Sequence, residues 1–259
     1  MLLKDRVAIV SGIGPGMGRD VSLALAEQGA DVVLAARTVS ALNEVAGEVR
    51  KVGRRTLTVV TDIAKPEDCR RLADAAQAEF GRIDVLVNNA FFGGTYVPIE
   101  EAKMDDWRKV LDVNLFGTIQ LTQAVLPSMK AARRGSIVMV NSMSMRIIEP
   151  RFGGYAASKG ALMTATQTLA KEVGAYGIRV NSVVPGYIWG QSLERWFASL
   201  AQQRGITPQA VYDEIASRTC LNHIPTSAEI AGTVVFLASD LSSVVTGQAI
   251  DVNGGHHFH

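Results

Sequence analysis

Residues 7–18 read Val-Ala-Ile-Val-Ser-Gly-Ile-Gly-Pro-Gly-Met-Gly, and a segment of helical period, residues 19–28, follows directly. An apolar strand, a glycine turn and a helix in this order place unpaired backbone N–H groups and the positive end of a helix dipole at the turn. Gly12, Gly16 and Gly18 let the backbone approach an anion closely. A glycine triplet alone also occurs in ordinary tight turns, but this position between strand and helix favours a nucleotide phosphate site.

Apolar β-rich runs recur between segments of helical period along the whole chain. Several are continuously apolar, as in residues 137–140, Ile-Val-Met-Val, which is typical of a parallel strand buried on both faces. The sequence therefore predicts a doubly wound α/β fold with seven parallel strands and helices on both faces. The predicted strands are 6–11, 31–36, 55–61, 83–88, 136–141, 179–184 and 248–252.

The 259 residues contain no linker-like break, so we predict one domain over residues 1–259. Residues 186–225 are too long for an ordinary connection between strands and predict a substrate lid. This segment is rich in aromatic residues, and Met143 and Met145 follow Ser142. These side chains favour a bulky apolar substrate. They are equally consistent with packing of the lid against the body or a neighbouring subunit.

The composition excludes several classes of function. A formal net charge of +1 with scattered charges gives no nucleic-acid surface. Two distant cysteines, Cys69 and Cys220, support no disulfide framework and favour a reducing cytoplasm. No apolar run has the length of a signal peptide or a membrane span. The histidines of residues 256–259 lack partners at metal-ligand spacing, so we predict no metal site and an exposed tail.

Two polar positions indicate how a dinucleotide would be read. Arg37 follows the second predicted strand, where an NAD site normally places an acidic residue. An arginine there can bond a ribose 2′-phosphate, which favours NADP(H) over NAD(H); the alternative is a surface arginine at a strand end. Asp62, before Ile63, either accepts a hydrogen bond from an adenine amino group or caps the helix that begins near Pro66, or does both.

Tyr155 and Lys159 lie four residues apart in a segment of helical period, so their side chains share one face. A free phenol titrates near pH 10, and a neighbouring ammonium would lower that pKa. Tyr155 can then exchange a proton with a carbonyl or alcohol oxygen. Ser142, at the end of the fifth predicted strand, can hold that oxygen, and Asn114, polar among apolar neighbours, can hold a water leading from Lys159. Each residue alone also has a purely structural explanation.

These motifs occur in one order along the chain: the glycines of residues 12–18, Asn88-Asn89-Ala90, Asn114, Ser142, and Tyr155 with Lys159. Together they resemble the short-chain dehydrogenase/reductase family over essentially the whole chain. The resemblance implies a Rossmann sheet and a catalytic tetrad of Asn114, Ser142, Tyr155 and Lys159. It implies cofactor contacts from Tyr155 and Lys159 and from the residues Ser11, Gly12, Gly16, Met17, Gly18, Asp62, Ile63, Asn88, Ala90, Pro185, Gly186 and Ile188. It also implies a homotetramer or homodimer.

The chain departs from the family pattern at a few positions. Pro15 stands where many NADP-preferring members carry a basic residue, so Arg37 alone supports NADP(H). Phe91 replaces the glycine that usually ends the asparagine motif, and an aromatic ring there would narrow or line the substrate cleft. Gly190 replaces a threonine that commonly bonds the nicotinamide carboxamide.

Two classes of function follow from this sequence. The first is an oxidoreductase that moves a hydride between NADP(H), or less favourably NAD(H), and a secondary alcohol or ketone. A 3-oxoacyl reductase or a hydroxysteroid dehydrogenase belongs to the same class. The second is a catalytically silent nucleotide-binding scaffold. The presence of Ser142, Tyr155 and Lys159 together argues for the enzyme, because a binding module needs none of them.

Overall fold

The structure, a computed structural model, describes residues 1–258. Seven parallel strands form one sheet in the order β3-β2-β1-β4-β5-β6-β7. The strands are β1 (Val7–Ser11), β2 (Asp31–Ala36), β3 (Thr56–Val60), β4 (Val85–Asn88), β5 (Gly135–Val140), β6 (Ile178–Pro185) and β7 (Ala249–Val252). Every predicted strand is present, with ends within about two residues of those expected from periodicity. The predicted Rossmann-type fold is therefore confirmed.

The strands alternate with helices along the chain. Within the described residues these are α1 (Met17–Glu27), α2 (Val39–Lys51), α3 (Pro66–Phe80), α4 (Met104–Leu111), α5 (Thr118–Ala132), α6 (Gly153–Val173), α7 (Gln191–Arg204), α8 (Pro208–Ala216) and α9 (Ser227–Ala238). A π-helical turn, Asp112–Gly117, joins α4 to α5. None of the helices in residues 1–258 combines the length and the apolar character that a bilayer crossing requires.

Helices cover both faces of the sheet because successive strand side chains point to opposite faces. On β1, Ala8 and Val10 belong to the apolar layer under α1, α2 and α9, whereas Val7 and Ile9 belong to the layer under α3, α5 and α6. All four side chains are buried. The continuous apolar character of β1 therefore follows from burial on both faces.

The strand order reverses between β1 and β4. The chain first builds β1, β2 and β3 outward on one side, then returns to place β4 beside β1 and continues on the other side. The loops that leave the carboxyl ends of β1 and β4 therefore diverge and open a crevice at this edge of the sheet. This crevice positions the site described below.

Residues 186–225, hereafter the lid, hold α7 and α8 and pack around their own apolar cluster. Phe197 is completely buried at its centre, and Trp189 lies against both Phe197 and Tyr212. Trp196 remains 45% exposed and stacks on Tyr187 at a centroid distance of 6.2 Å. Most lid aromatics, Tyr187 among them, therefore pack in or against the lid's own core, and Trp196 is an exposed ring at its surface.

The prediction of an exposed tail is wrong at its first residue. The ring of His256 stacks on Tyr187 at 5.7 Å, and its backbone N–H donates to Asn253 Oδ1. His256 is consequently half-buried, and burial lowers its pKa. His259 lies outside the described residues, and within them no group of His, Cys, Asp and Glu side chains is placed to hold a metal ion.

Candidate active site

The glycine turn after β1 is held against the turn after β4. A Cβ built on Gly12, whose φ is +79°, would lie 2.5 Å from Ala90 Cα, and one on Gly18 would lie 2.3 Å from the Gly12 carbonyl oxygen. Asn89 Nδ2 donates to that same oxygen at 2.8 Å. Only glycine fits at positions 12 and 18, because backbone atoms occupy the space of any side chain.

The N-terminus of α1 opens at this turn. Gly16 is the N-cap with φ +122°, and no side chain caps it. The first N–H groups of the helix have no partner within the helix, so they are left for a ligand. Together with the helix dipole they form a site for negative charge, as predicted from the sequence.

A cavity of about 460 Å³ lies beside the turn and along the ends of β1, β2 and β3. It contains seven of the residues predicted to bind a cofactor, namely Gly12, Met17, Gly18, Arg37, Asp62, Ile63 and Ala90. The cavity is also lined by residues that were not predicted to bind a cofactor, among them Asn89, Phe92, Lys109 and Val113. Phe91, which was expected to narrow or line the substrate cleft, lines this cavity as well. No local pattern singles out Lys109 and Val113, because only the fold brings them to the cavity.

Charged groups are few in this cavity. Arg37 is exposed at its rim and makes neither a hydrogen bond nor an ion pair with the part of the chain that the structure describes. Asp62 Oδ1 accepts a hydrogen bond from the backbone N–H of Ala64 at 3.1 Å. The N-cap of α3 is Lys65, so Asp62 stabilises the turn before that helix rather than capping it.

Two of the residues predicted to contact a cofactor stand behind the cavity instead. Asn88 is buried and its Nδ2 donates to Thr122 Oγ1 at 3.0 Å, because the side chain points towards α5. Ser11 Oγ accepts from the backbone N–H groups of Asn89 and Ala90 at 3.2 and 3.4 Å. Ser11 thus holds the turn after β4 to the end of β1, and Asn88 joins β4 to α5. Their predicted contacts with a cofactor stay predictions.

Four further predicted residues do not line this cavity either. Gly16 acts through the helix N-terminus, and Pro185 with Gly186 ends β6 at the start of the lid. Ile188 packs against the apolar layer under α1 and α9. A Cβ on Gly186 would lie 3.5 Å from Met143 Sδ, so the lid begins next to the loop after Ser142. The sequence-based roles of these four residues stay predictions.

Tyr155 and Lys159 share one face of α6, as their spacing predicts. Lys159 is almost fully buried, with its Nζ 5.6 Å from the centroid of the Tyr155 ring, and this ammonium donates to the Val140 carbonyl oxygen at 2.8 Å. Burial lowers the pKa of Lys159 to about 8. The Val140 carbonyl, at the end of β5, thus holds the Lys159 ammonium near the Tyr155 ring. Because its pKa is lowered, this ammonium is a stronger acid than that of a free lysine.

Burial raises the pKa of Tyr155 to about 12, and a hydrogen bond with Ser142 opposes that shift. The expectation that Lys159 holds the phenol pKa below its ordinary value is therefore not met in the protein alone, where burial is the largest effect. Ser142 follows β5 directly, and its Oγ also accepts from the Ser144 N–H at 3.2 Å. Ser142 and Tyr155 thus meet at the carboxyl edge of the sheet.

Asn114 lies in the π-helical turn and is completely buried. Its Oδ1 accepts from the Phe92 N–H at 2.7 Å, and its Nδ2 donates to the Phe92 carbonyl at 3.0 Å and to Ser158 Oγ at 3.0 Å. Ser158 Oγ in turn donates to the Tyr155 carbonyl at 2.7 Å. The side chain therefore joins the loop after β4 to α6, and its role in holding a water that leads from Lys159 stays a prediction.

These features fit a nicotinamide dinucleotide. The glycine cradle leaves room for a pyrophosphate at Gly16, where a built Cβ would meet no atom within 4 Å. The adjoining cavity has the apolar lining and the few polar groups of a nucleoside pocket, with Ile63 and Val113 beside Asp62. Phe91 lines this cavity and also contacts the Tyr155 ring, so the cradle and the catalytic residues are continuous.

Known proteins resemble this chain over nearly its whole length. A family model described as enoyl-(acyl carrier protein) reductase matches residues 12–257. A short chain dehydrogenase/reductase of Aspergillus oryzae is 35% identical over 255 residues, or 98% of this chain and 95% of that protein.

Solved structures give the same result. NAD⁺-bound xylitol dehydrogenase superposes with a TM-score of 0.91 at 30% identity, covering 98% of this chain and 100% of its own. Actinorhodin polyketide ketoreductase with NADPH superposes with a TM-score of 0.91 at 27% identity, covering 98% of each chain. The family match, the shared fold and the grouping of Ser142, Tyr155 and Lys159 agree: this chain belongs to the short-chain dehydrogenase/reductase family of oxidoreductases.

Proposed function

We propose that this chain interconverts a secondary alcohol and a ketone with NADP(H), using Tyr155 as the acid and base. The observation that carries the proposal is the meeting of Tyr155 with Ser142 above the buried Lys159, at the sheet edge that adjoins the glycine cradle. A silent scaffold gives no reason for a lysine to be buried under a tyrosine, because burying a cation costs stability.

Each residue has a separate task in this reaction. Ser142 Oγ holds the substrate oxygen, and Tyr155 gives that oxygen a proton in the reductive direction or takes one in the oxidative direction. Lys159, fixed by the Val140 carbonyl, stabilises the phenolate when it forms. Asn114 positions Tyr155 through Ser158. NADP(H), when bound, supplies or accepts the hydride.

Arg37 supports NADP(H) over NAD(H). Its guanidinium is exposed at the cavity rim and makes no ion pair within residues 1–258. It can therefore bind a 2′-phosphate without breaking an existing ion pair. No aspartate or glutamate ends β2, where a contact to ribose hydroxyls would be made. A charge-assisted contact of this kind contributes roughly 1.5–3 kcal/mol, which is about tenfold to a hundredfold in affinity.

The substrate side of the site favours a bulky apolar molecule. Met143 and Met145 follow Ser142, and the lid begins within reach of Met143. Trp196 presents its ring at the lid surface, stacked on the half-buried Tyr187. In this proposal the lid and the sheet form one domain, and the lid covers the bound substrate.

Assembly into a homodimer or homotetramer completes the proposal. Phe116, half exposed on the π-helical turn, is the kind of apolar side chain that a subunit contact buries. Size-exclusion chromatography with light scattering checks this, and a monomer at micromolar concentration would contradict it.

The first experiment is a fluorescence titration of the protein with NADPH and with NADH, followed by an assay of ketone reduction with the tighter cofactor. We expect NADPH to bind tighter by about tenfold or more. In Arg37→Gln, the affinity for NADPH should fall to near that for NADH, while the affinity for NADH stays within about twofold.

Arg70→Gln is the matched control, since Arg70 is exposed on α3 away from the cavity. Equal losses of both cofactors in Arg37→Gln would retire the role of Arg37 in selection. Binding of neither cofactor by the wild type would retire the enzyme and leave the scaffold.

A further inference from the structure

The segment after β4 exposes three aromatic rings within six residues. Phe91 is 63% exposed, Phe92 is 41% exposed and Tyr96 is 47% exposed. Exposed apolar side chains that are grouped in this way mark a binding surface more often than a random part of the fold. Tyr96 in turn lies against Phe152, with ring centroids 4.5 Å apart, and Phe152 immediately precedes the helix of Tyr155.

The backbone on both sides of Phe91 is held firmly. The N–H of Ala90 donates to Ser11 Oγ, and both backbone polar groups of Phe92 bond the amide of Asn114 at 2.7 and 3.0 Å. These anchors come from the end of β1 and from the buried Asn114 in the π-helical turn. Because the backbone is already held, Phe91 loses little further conformational entropy when a ligand packs on its ring. Phe91 is therefore suited to binding a substrate.

The ring of Phe91 stands next to the catalytic tyrosine. Its edge-to-face contact with Tyr155 has a centroid distance of 6.4 Å and an interplanar angle of 69°. Phe91 also lines the cavity beside the glycine cradle. A group bonded to the carbon that reacts beside Tyr155 therefore has to pass or pack against this ring.

We infer that Phe91 is a specificity-determining residue that selects ketones and alcohols carrying a planar aromatic ring next to the reacting carbon. This inference rests on the proposed function and names its substrate class. Aromatic rings pack edge-to-face or offset on one another more favourably than saturated rings of the same size do. Phe91 and Tyr155 already adopt such a pair, and Tyr96 with Phe152 extends the aromatic wall.

The experiment uses two ketones of nearly equal size, acetophenone and cyclohexyl methyl ketone, at saturating cofactor. The quantity is the ratio of their kcat/KM values in the wild type, in Phe91→Leu and in Phe91→Tyr. We expect the leucine variant to lower the aromatic-to-saturated ratio by roughly two- to tenfold, the worth of one aromatic pair. The tyrosine variant should keep the ratio within about twofold.

Tyr176→Leu is the control, because Tyr176 is a partly exposed aromatic residue that packs on Lys130 away from the site. Its ratio should equal that of the wild type. Thermal melting checks that Phe91→Leu is folded, and an unfolded leucine variant is replaced by Phe91→Met, for which the same loss is expected.

Two negative outcomes are distinguishable. If the wild type turns over both ketones and the ratio does not change in a folded Phe91→Leu variant, the inference is overturned and the proposed reaction stands. If the wild type binds NADPH but turns over neither ketone nor alcohol, the proposed reaction fails and the inference fails with it.

Discussion

The carboxyl edge of the sheet and the lid are built in different ways. At the sheet edge, the turns after β1 and β4 are fixed by backbone contacts that leave no space for a Cβ at Gly12 or Gly18. The lid has its own apolar cluster around Phe197, held by side-chain packing. At Gly12 and Gly18 the sheet edge has room for glycine only. The core of the lid has to be filled by large side chains, but several apolar residue types of similar volume can fill it.

The difference indicates where function is fixed and where it varies. The proposed chemistry and cofactor cradle lie in the rigid region, where small displacements would cost much catalysis. The proposed substrate contacts lie at the boundary, where Met143 meets the start of the lid at Gly186. The variants below test whether the two regions are as separable as this comparison implies.

The largest effect should come from Tyr155→Phe. Removing the phenol hydroxyl removes the proton donor and acceptor, so kcat should fall by about 10²- to 10⁴-fold. Steady-state kinetics with NADPH and a ketone measures the loss. The affinity for NADPH should change by less than about threefold, and turnover at the wild-type rate would rule out Tyr155 as the acid and base.

Phe197→Ala tests the lid as a packed unit. Phe197 is fully buried, and truncating such a ring costs about 3–5 kcal/mol in the free energy of unfolding. Denaturant unfolding measures the change, and hydrogen exchange should show faster exchange in α7 and α8. NADPH affinity should stay near that of the wild type, because α7 and α8, which Phe197 holds together, contribute no residue to the cavity beside the cradle.

Trp196→Ala is the matched control for that variant. Trp196 is 45% exposed, so its truncation should cost less than about 1 kcal/mol. Equal destabilisation by both variants would show that the lid surface, and not its core, holds it in place.

Lys159 gives the rigid region a pH dependence. Its pKa is lowered by burial from 10.5 to about 8, so below pH 8 the folded chain carries a buried cation at full cost. Between pH 8 and 10.5 the unfolded chain holds more protons than the folded one, and the free energy of unfolding therefore rises with pH. From pH 7.5 to 10 Lys159 by itself should contribute a rise of about 2–3 kcal/mol. Burial raises the pKa of the Cys69 thiol to about 11, which offsets part of this rise above pH 9, so the contribution of Lys159 is the difference between the wild type and a variant without the lysine.

Lys159→Met should remove that rise, as urea unfolding at the two pH values will show. The measurement stops at pH 10, because the raised pKa of Tyr155 acts with the opposite sign above it. A rise of the same size in the methionine variant would assign the pH dependence to other groups.

The smallest effect concerns the turn after β1. In Gly18→Ala the new methyl would lie 2.3 Å from the Gly12 carbonyl, so we expect a loss of about 1–3 kcal/mol in stability and weaker NADPH binding. Gly14→Ala is the control, since a Cβ there meets no atom within 4 Å. If both alanine variants bind NADPH equally, the turn is less rigid than its contacts indicate.

The fold was predictable because each strand is continuously apolar and bounded by turn residues, as with Val7–Ser11 before Gly12. The glycine cradle was predictable because a turn between a strand and a helix needs residues that let the backbone approach closely, and glycine allows this. Tyr155 and Lys159 were predictable from helical spacing. In each case the signal is local in the sequence.

Other parts depend on contacts between distant segments. The sequence suggests a cofactor contact for Asn88 and a catalytic role for Asn114, but it does not reveal that their amides bond Thr122 on α5 and Phe92 after β4. The raised pKa of Tyr155 depends on how much of the fold covers it, which no spacing of residues reveals. His256 is half-buried because its ring stacks on that of Tyr187, which lies far from it in the sequence.

The hydrogen bonds between Asn114 and Phe92 involve the backbone of Phe92 and not its side chain. Asn114 therefore holds the backbone of this segment, whereas the side chains at positions 91 and 92 are what the segment presents beside Tyr155. The side chains at positions 91 and 92 can be replaced without loss of a hydrogen bond to that clamp. A library confined to these two positions is therefore a practical way to redirect the enzyme to new ketones while its scaffold and its proton chemistry stay intact.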